Sequence, residues 1–192
     1  MGWERAKPDI EALLAVLERH GVLYVVTGSV TARLHGVPLE PGDLDVTPAS
    51  DQENLGRLAA ALEELGADVD PEEPFGRWET GDDGERQWLT FEPTDADRKA
   101  REEWRPRPDD PASFDHLVRT RFGALDVVPE IAGSYEELRR RATLLEVNGC
   151  SVWIESIEDQ LATLTIPRRP KDASRVRALR AIQLRHAHGE GA

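Results

Sequence analysis

Two aspartates, Asp43 and Asp45, stand one residue apart in a short segment flanked by apolar residues. Side chains alternate along a β-strand, so residues two positions apart point to the same face. A pair of carboxylates on one face suits a hard divalent cation such as Mg²⁺ (or Mn²⁺), which prefers oxygen ligands and keeps substrate phosphates in its shell. The pair therefore predicts a metal site for a phosphate-bearing substrate.

A Gly-Ser pair, Gly28 and Ser29, precedes the aspartates and ends an apolar run over residues 22–26. Gly28 has no Cβ, which lets the backbone approach a ligand closely. Ser29 is expected to begin a short helix, where free N–H groups and the helix dipole favour an anion such as phosphate. Arg33 lies one helical turn later and could lean toward the same ligand, although an ordinary surface arginine is the alternative.

The order of strand, Gly-Ser, helix and strand with Asp-x-Asp resembles the nucleotidyltransferase superfamily with the DNA polymerase β-like fold. In detail the chain is most similar to the AbiEii-type branch, which includes toxins of toxin–antitoxin systems. The residues that carry this similarity are Gly28-Ser29, the run Leu34-His35-Gly36-Val37-Pro38 and the run Asp43-Leu44-Asp45-Val46.

The resemblance implies two further site residues later in the chain. In that superfamily a third carboxylate comes from a later strand, and Asp126 stands in a matching apolar segment, residues 124–128. In AbiEii-like proteins a lysine from a C-terminal helix approaches the triphosphate, and Lys171 of a Lys-Asp pair has the corresponding place, although a surface lysine without a ligand is the alternative. The chain departs from the pattern twice, because no lysine stands near Leu164 and because Arg175 replaces an expected acidic residue.

Asp126 is also unusual in its own surroundings. Its neighbours Leu125 and Val127 are expected to pack inward, which leaves Asp126 on the opposite face of the strand. An isolated aspartate in an apolar strand is costly unless it is paired or bound to a metal. Glu130 follows closely and is the alternative ligand.

The activity that the resemblance implies is metal-dependent transfer of an NMP from an NTP to an acceptor hydroxyl. The residues implied to hold the metal and carry catalysis are Asp43, Asp45 and Asp126. The residues implied to bind the nucleotide are Gly28, Ser29, Arg33 and Lys171. The acceptor stays open between tRNA, a protein and a small molecule, and a cognate partner protein is a further implication.

Two other functions compete with this interpretation. One is a non-catalytic nucleotide-binding or antitoxin-like protein on the same fold, which the departures near Lys171 favour. The other is a metal-dependent glycosyltransferase, since Asp-x-Asp also occurs in that class. Too few residues precede Asp43 for the α/β nucleotide-binding layer that such glycosyltransferases place first.

The composition and the net charge limit the kinds of partner that the protein is expected to bind. The formal net charge is −13, from 37 acidic and 24 basic side chains, which weighs against strong nonspecific binding to nucleic acid. Cys150 is the single cysteine and cannot form an internal disulfide, as is typical of a reducing compartment. No apolar run reaches the length of a membrane span, and the first residues lack the apolar core of a signal peptide. We therefore expect a cytoplasmic protein with no membrane partner.

The element pattern, together with the resemblance, predicts an α+β fold: a nucleotidyltransferase-like mixed β-sheet flanked by helices, with C-terminal helices. Helices are predicted over residues 8–20, 29–35, 51–66, 134–141, 156–164 and 173–186. Strands are predicted around the Asp-x-Asp motif and over residues 23–27, 67–69, 85–91, 113–121, 124–128, 143–147 and 150–154. The proline-rich segment 93–111 is predicted to be a long loop. Residues 1–155 are expected to form the core, with residues 156–192 as a helical segment packed on it.

Overall fold

The computed structural model of the chain describes residues 7–80, 86–130, 133–164 and 170–187. Within these ranges the chain forms a seven-stranded mixed sheet, a separate two-stranded sheet and flanking helices, which confirms the predicted α+β class. The strands are β1 (Tyr24–Thr27), β2 (Leu44–Pro48), β3 (Asp68–Val69), β4 (Gly76–Thr80), β5 (Arg86–Thr90), β6 (His116–Thr120), β7 (Gly123–Val127), β8 (Thr143–Val147) and β9 (Cys150–Ile154). The helices are α1 (Ile10–Arg19), α2 (Gly28–Leu34), α3 (Gln52–Leu65), α4 (Asp95–Glu102), α5 (Tyr135–Arg141), α6 (Ile157–Thr163) and α7 (Pro170–Ala187), with a 3₁₀ turn at Pro111–Phe114.

The large sheet has the strand order β3-β6-β7-β2-β1-β9-β8. Strand β2 pairs antiparallel with β1 and parallel with β7, and β1 pairs parallel with β9. Strands that lie far apart in the chain therefore meet at the centre of the sheet. This topology brings β2, β7 and the end of β9 to the turn that follows β1.

The main hydrophobic core lies between one face of this sheet and the helices α1 and α3. The core side chains of the two central strands are Leu44, Val46, Leu125 and Val127, all of which are fully buried. Because side chains alternate across a strand, the residues between them, Asp45 and Asp126, face the opposite side of the sheet. The apolar residues of β2 and β7 thus fix the direction of both carboxylates.

A second, smaller apolar cluster attaches the C-terminal helices. Its buried members come from α2, the loop after it, α6 and α7, and they are Ala32, Val37, Ile157, Leu179 and Ile182. Leu179 and Ile182 are the buried residues that α7 contributes to this cluster. A boundary between core and helical segment at residue 155 stays a prediction.

Capping and turn signals account for most element ends. Asp51 caps α3 by accepting a hydrogen bond from Asn54 N–H at 2.9 Å, and Gly66 ends that helix with φ 63°. A capping box of Ser134 and Glu137 begins α5. The β8–β9 hairpin turns at residues 148–149, both of which have positive φ.

The segment 93–111 is not the long loop that its prolines predicted, because it contains α4. This helix has no buried residue, so it lacks the apolar stripe on which the prediction relied. A capping box between Thr94 and Asp97 begins it, and basic residues in its last turn complement the helix dipole. Strand β4, which pairs with β5, was not among the predicted strands.

None of the helices formed by the described residues has both the length and the apolar character that crossing a bilayer requires.

Candidate active site

A cavity of about 620 Å³ lies where β2 and β7 meet the β1–α2 turn and the helices α6 and α7. Its described lining is strongly acidic. The carboxylate side chains along it are Asp43, Asp45, Glu73, Asp115, Asp126, Glu130, Glu155 and Asp172. The three aspartates that the sequence indicated as metal ligands and catalytic residues are therefore brought to one cavity.

Asp45 and Asp126 are direct neighbours across the sheet. They are paired residues in the parallel ladder between β2 and β7, and Asp45 is also paired with Thr27 of β1. Paired residues of adjacent strands project from the same face, so the two carboxylates share the side of the sheet that lines the cavity. Asp43 lies just before β2 and joins them there.

The charges of Asp43 and Asp126 disfavour the ionised form of Asp45. Burial raises the pKa of Asp45 well above its ordinary value, and the charges of Asp43 and Asp126 raise that pKa further. The Ser29 N–H, which donates to Asp45 Oδ2 at 3.4 Å, acts in the opposite direction but does not cancel the rise. The site thus concentrates negative charge that a bound cation would offset.

Gly28 makes room for Asp45 beneath the β1–α2 turn. Gly28 has φ +66°, and a Cβ placed on it would overlap the carboxylate of Asp45. The close approach that the glycine permits is therefore made by a side chain of the site itself. We expect this turn and Asp45 to hold their positions only together.

The turn does not offer the free amides that the sequence predicted at Ser29. Gly28 N–H donates to Glu155 Oε1 at 2.7 Å, while Ser29 N–H already faces Asp45, and α2 has only seven residues. The hydroxyl of Ser29 differs, because Ser29 Oγ is buried and has no hydrogen-bond partner among the described residues. The hydroxyl is the group through which Ser29 can contact a ligand.

Glu155 and Gln160 hold the turn from the C-terminal side, and the sequence analysis did not identify either of them. Glu155 follows β9 and is 1% exposed, and its Oε1 also accepts a hydrogen bond from Gln160 Nε2 at 2.9 Å. Gln160 Nε2 donates to Gly28 O at 2.6 Å as well. Their remaining oxygens, Glu155 Oε2 and Gln160 Oε1, are buried without a hydrogen-bond partner in the described part of the chain.

Glu155→Gln should remove part of the pH dependence of stability. Burial raises the pKa of Glu155 to about 7 from the ordinary value of 4.5, so below pH 7 the folded chain keeps a proton that the unfolded chain releases. The contribution of Glu155 to stability is therefore full below the unfolded pKa and is lost as the pH rises through 7. We expect the free energy of unfolding to fall by about 2 kcal/mol more in the parent protein than in the variant between about pH 5 and about pH 8.

Urea unfolding of both proteins in metal-free buffer measures this difference. Glu63→Gln on the exposed face of α3 is the matched control, and it should follow the parent protein at every pH. Parallel pH curves for the parent and Glu155→Gln would contradict the assigned ionisation.

Arg33 does not reach the cavity. Its guanidinium pairs with Glu40 Oε1 at 3.0 Å, is half exposed and is absent from the described cavity lining. Arg33 is therefore the surface arginine of the alternative interpretation. Lys171 belongs to α7, but its side chain lies outside the part of the chain that the structure describes, so its role stays a prediction.

The aspartates fit a cation that is shared with a ligand, not a closed metal cage. Among the described residues, no group of three His, Cys, Asp or Glu side chains is arranged to hold a metal ion by itself. Mg²⁺ that acts on nucleotides is usually bound by one or two carboxylates and completed by substrate phosphates and water. Asp43, Asp45 and Asp126 would supply such a partial ligand set, and the raised pKa of Asp45 reflects the burial and the neighbouring negative charges that a cation would offset.

Comparison with known proteins adds a weak likeness of fold. No protein-family model and no curated protein matches the chain. The chain is similar to a crystal structure of ANT(2″)-Ia in complex with adenylyl-2″-tobramycin, with 17% identity, coverage of 93% of each chain and a TM-score of 0.48.

Two further solved structures show a comparable likeness. One is the lincosamide antibiotic adenylyltransferase LnuA with lincomycin bound, with 13% identity, 90% of this chain and 95% of that chain covered, and a TM-score of 0.43. The other is an antigenic nucleotidyltransferase-like protein from Paracoccidioides brasiliensis, with 14% identity, 90% and 72% covered, and a TM-score of 0.45. Because these identities and TM-scores are low, we base no conclusion about function on them.

Proposed function

We propose that the chain transfers an NMP from an NTP to an acceptor hydroxyl with the help of Mg²⁺ or Mn²⁺. The observation that carries this proposal is the pairing of Asp45 and Asp126 across β2 and β7, in one cavity with Asp43 and the Ser29 hydroxyl. Each of these groups has a counterpart in the motif that the sequence analysis identified.

The charge balance explains why a cation belongs to this function. Two carboxylates about 4 Å apart repel by roughly 4 kcal/mol at an effective dielectric constant near 20, and a triphosphate adds more negative charge. Divalent cations offset this repulsion and stabilise the attacking and leaving oxygens of a phosphoryl transfer. Without a cation, the acidic cavity would repel the nucleotide.

The residues divide the work of the reaction. Asp43 and Asp45 would hold the cation, which would offset the charge of the triphosphate, and the Ser29 hydroxyl donates a hydrogen bond to a phosphate oxygen. Asp126 orients the acceptor hydroxyl and takes its proton. The acceptor oxygen forms a bond to the α-phosphorus, the bond between that phosphorus and the bridging oxygen breaks, and pyrophosphate leaves.

The more specific predictions about this protein rest on its sequence motifs. Membership of the AbiEii-type branch, a role in a toxin–antitoxin pair and a cognate partner protein all stay predictions from the resemblance. The choice of acceptor between tRNA, a protein and a small molecule stays open as well.

NTP binding should depend on the divalent cation. Because the cavity is acidic, we expect calorimetry to show at least about tenfold tighter NTP binding with Mg²⁺ than with EDTA. Asp43→Asn should lose most of this gain, whereas Asp68→Asn, on the exposed edge strand β3, should keep it. Equal affinity with and without the cation would count against the proposed site.

One observation favours the non-catalytic alternative. The amides of Gly28 and Ser29 are occupied by the carboxylates of Glu155 and Asp45, which leaves fewer donors for a phosphate. A nucleotide-binding protein without turnover would bind NTP with the cation yet transfer no NMP to any acceptor. Turnover therefore separates the two functions.

A further inference from the structure

Arg175 contributes a basic side chain to the wall of the acidic cavity. It belongs to α7, is only 8% exposed and lines the cavity. The other described lining residue with a basic side chain is His116, whose Nδ1 lies 2.9 Å from Glu73 Oε2 and is thereby committed to that carboxylate. Arg175 is therefore the lining cation best placed to meet an anion.

The guanidinium of Arg175 is not fully satisfied by the protein. Its Nε is buried and has no hydrogen-bond partner among the described residues. A buried N–H that lacks a partner costs free energy, so a residue of this kind is expected to have an acceptor in the working state. An unpartnered donor on a nearly buried arginine beside a cavity points to a ligand oxygen.

The carboxylate that feels the charge of Arg175 neutralises it only in part. Arg175 lowers the pKa of Glu155, but burial has the larger effect and keeps that pKa near 7. Glu155 is therefore partly protonated at neutral pH and neutralises only part of the charge of the guanidinium.

The anion that the proposed reaction always requires in this cavity is the triphosphate of the NTP. A guanidinium presents its donors as a planar fork that matches two phosphate oxygens at once, which an ammonium group cannot do. The acceptor hydroxyl, in contrast, requires no cation. The chemistry of Arg175 therefore matches the triphosphate, which is present whichever acceptor the protein uses.

We propose that Arg175 binds the β- and γ-phosphates of the nucleotide, which leave as pyrophosphate. This inference rests on the proposed nucleotidyl transfer and adds a binding residue to it. It also gives a role to a departure from the AbiEii-like pattern, since the arginine stands where an acidic residue is expected. An acidic residue at this position would repel a phosphate group, whereas Arg175 attracts it.

Calorimetry with an NTP and with the corresponding NMP, each in the presence of Mg²⁺, tests the proposal. Arg175→Gln should weaken NTP binding by about ten- to a hundredfold, the equivalent of one lost charge-assisted contact, and leave NMP binding unchanged. Inorganic tripolyphosphate should lose affinity in parallel with the NTP. Arg177→Gln, an exposed arginine of the same helix, is the matched control and should bind every ligand like the parent protein.

The outcomes separate this inference from the function on which it rests. If the parent protein binds NTP with Mg²⁺ and Arg175→Gln binds it equally well, Arg175 is structural while the proposed function stands. A parent protein that binds no NTP overturns both. An equal loss of NTP and NMP affinity in folded Arg175→Gln also overturns the assignment to the terminal phosphates.

Arg175→Lys keeps the test decisive if Arg175→Gln does not fold. Lysine retains the charge but loses the fork, so we expect NTP affinity to fall by several-fold while NMP affinity stays constant. Unchanged NTP affinity in folded Arg175→Lys would then contradict the proposal.

Discussion

Asp126→Asn is expected to slow nucleotidyl transfer by about a thousandfold, or about 4 kcal/mol of barrier, while binding of Mg²⁺ and NTP stays near normal. Asp126 comes from β7, outside the β1–α2–β2 unit that carries Ser29, Asp43 and Asp45. Asparagine keeps the shape of the side chain but removes the charge that, in the proposed reaction, orients the acceptor hydroxyl and takes its proton. The substitution should therefore slow the chemical step and leave nucleotide binding near normal.

Single-turnover kinetics and calorimetry on the same preparations separate the two effects. Asp68→Asn is the control for removing an aspartate charge from a strand, and it should leave both measurements unchanged. If Asp126→Asn transfers at the parent rate, the third carboxylate lies elsewhere, and Glu130, which lines the same cavity, is the next candidate. Unfolding of the variant would show instead that Asp126 is structural.

Gly28→Ala is expected to damage both stability and transfer. An alanine at φ +66° costs about 1–2 kcal/mol, and overlap of its Cβ with the carboxylate of Asp45 adds about 1–3 kcal/mol. Asp45 can escape only by moving out of place, and a shift of about 1 Å in a reacting group costs about a hundredfold in rate. We therefore expect a lower melting temperature together with about hundredfold slower transfer.

Gly21→Ala provides the matched control for this variant. Gly21 has nearly the same conformation, with φ +65°, but a Cβ placed there has no neighbouring atom within 4 Å. Gly21→Ala should be destabilised only by the conformational cost of an alanine at positive φ, and it should transfer at the parent rate. If Gly28→Ala and Gly21→Ala behave alike, the contact between the β1–α2 turn and Asp45 has no functional role.

The positions of the central aspartates could be predicted because local rules determine them. Leu44 and Val46 alternate with Asp45, and Leu125 and Val127 flank Asp126, so burial of the apolar residues turns the acids to the other face. The parallel pairing of β2 with β7 depends on the tertiary structure, but the face of the strand on which each aspartate lies could be predicted without it. These are the site residues for which the sequence was most informative.

The rest of the site depends on contacts between distant segments. Glu155 reaches Gly28 only because β9 pairs with β1, and Arg175 reaches the cavity only because α7 packs on α2 and α6. No sequence spacing marks Glu155 or Arg175 as a site residue, although the departure from the AbiEii-like pattern at position 175 was visible in the sequence. Arg33 has the right helical spacing from Ser29, but Glu40 in the following loop competes for it. Periodicity cannot predict such a partner.

The most direct test of the account follows the α-phosphate of the nucleotide. The protein is incubated with Mg²⁺, cell extract and each NTP labelled at either the α- or the γ-phosphorus. We expect label from the α-position to become attached to an acceptor, label from the γ-position to be released in pyrophosphate, and Asp126→Asn to slow both by about a thousandfold. Transfer of the γ-label to an acceptor, or NTP binding with no transfer of either label in any extract, would contradict it.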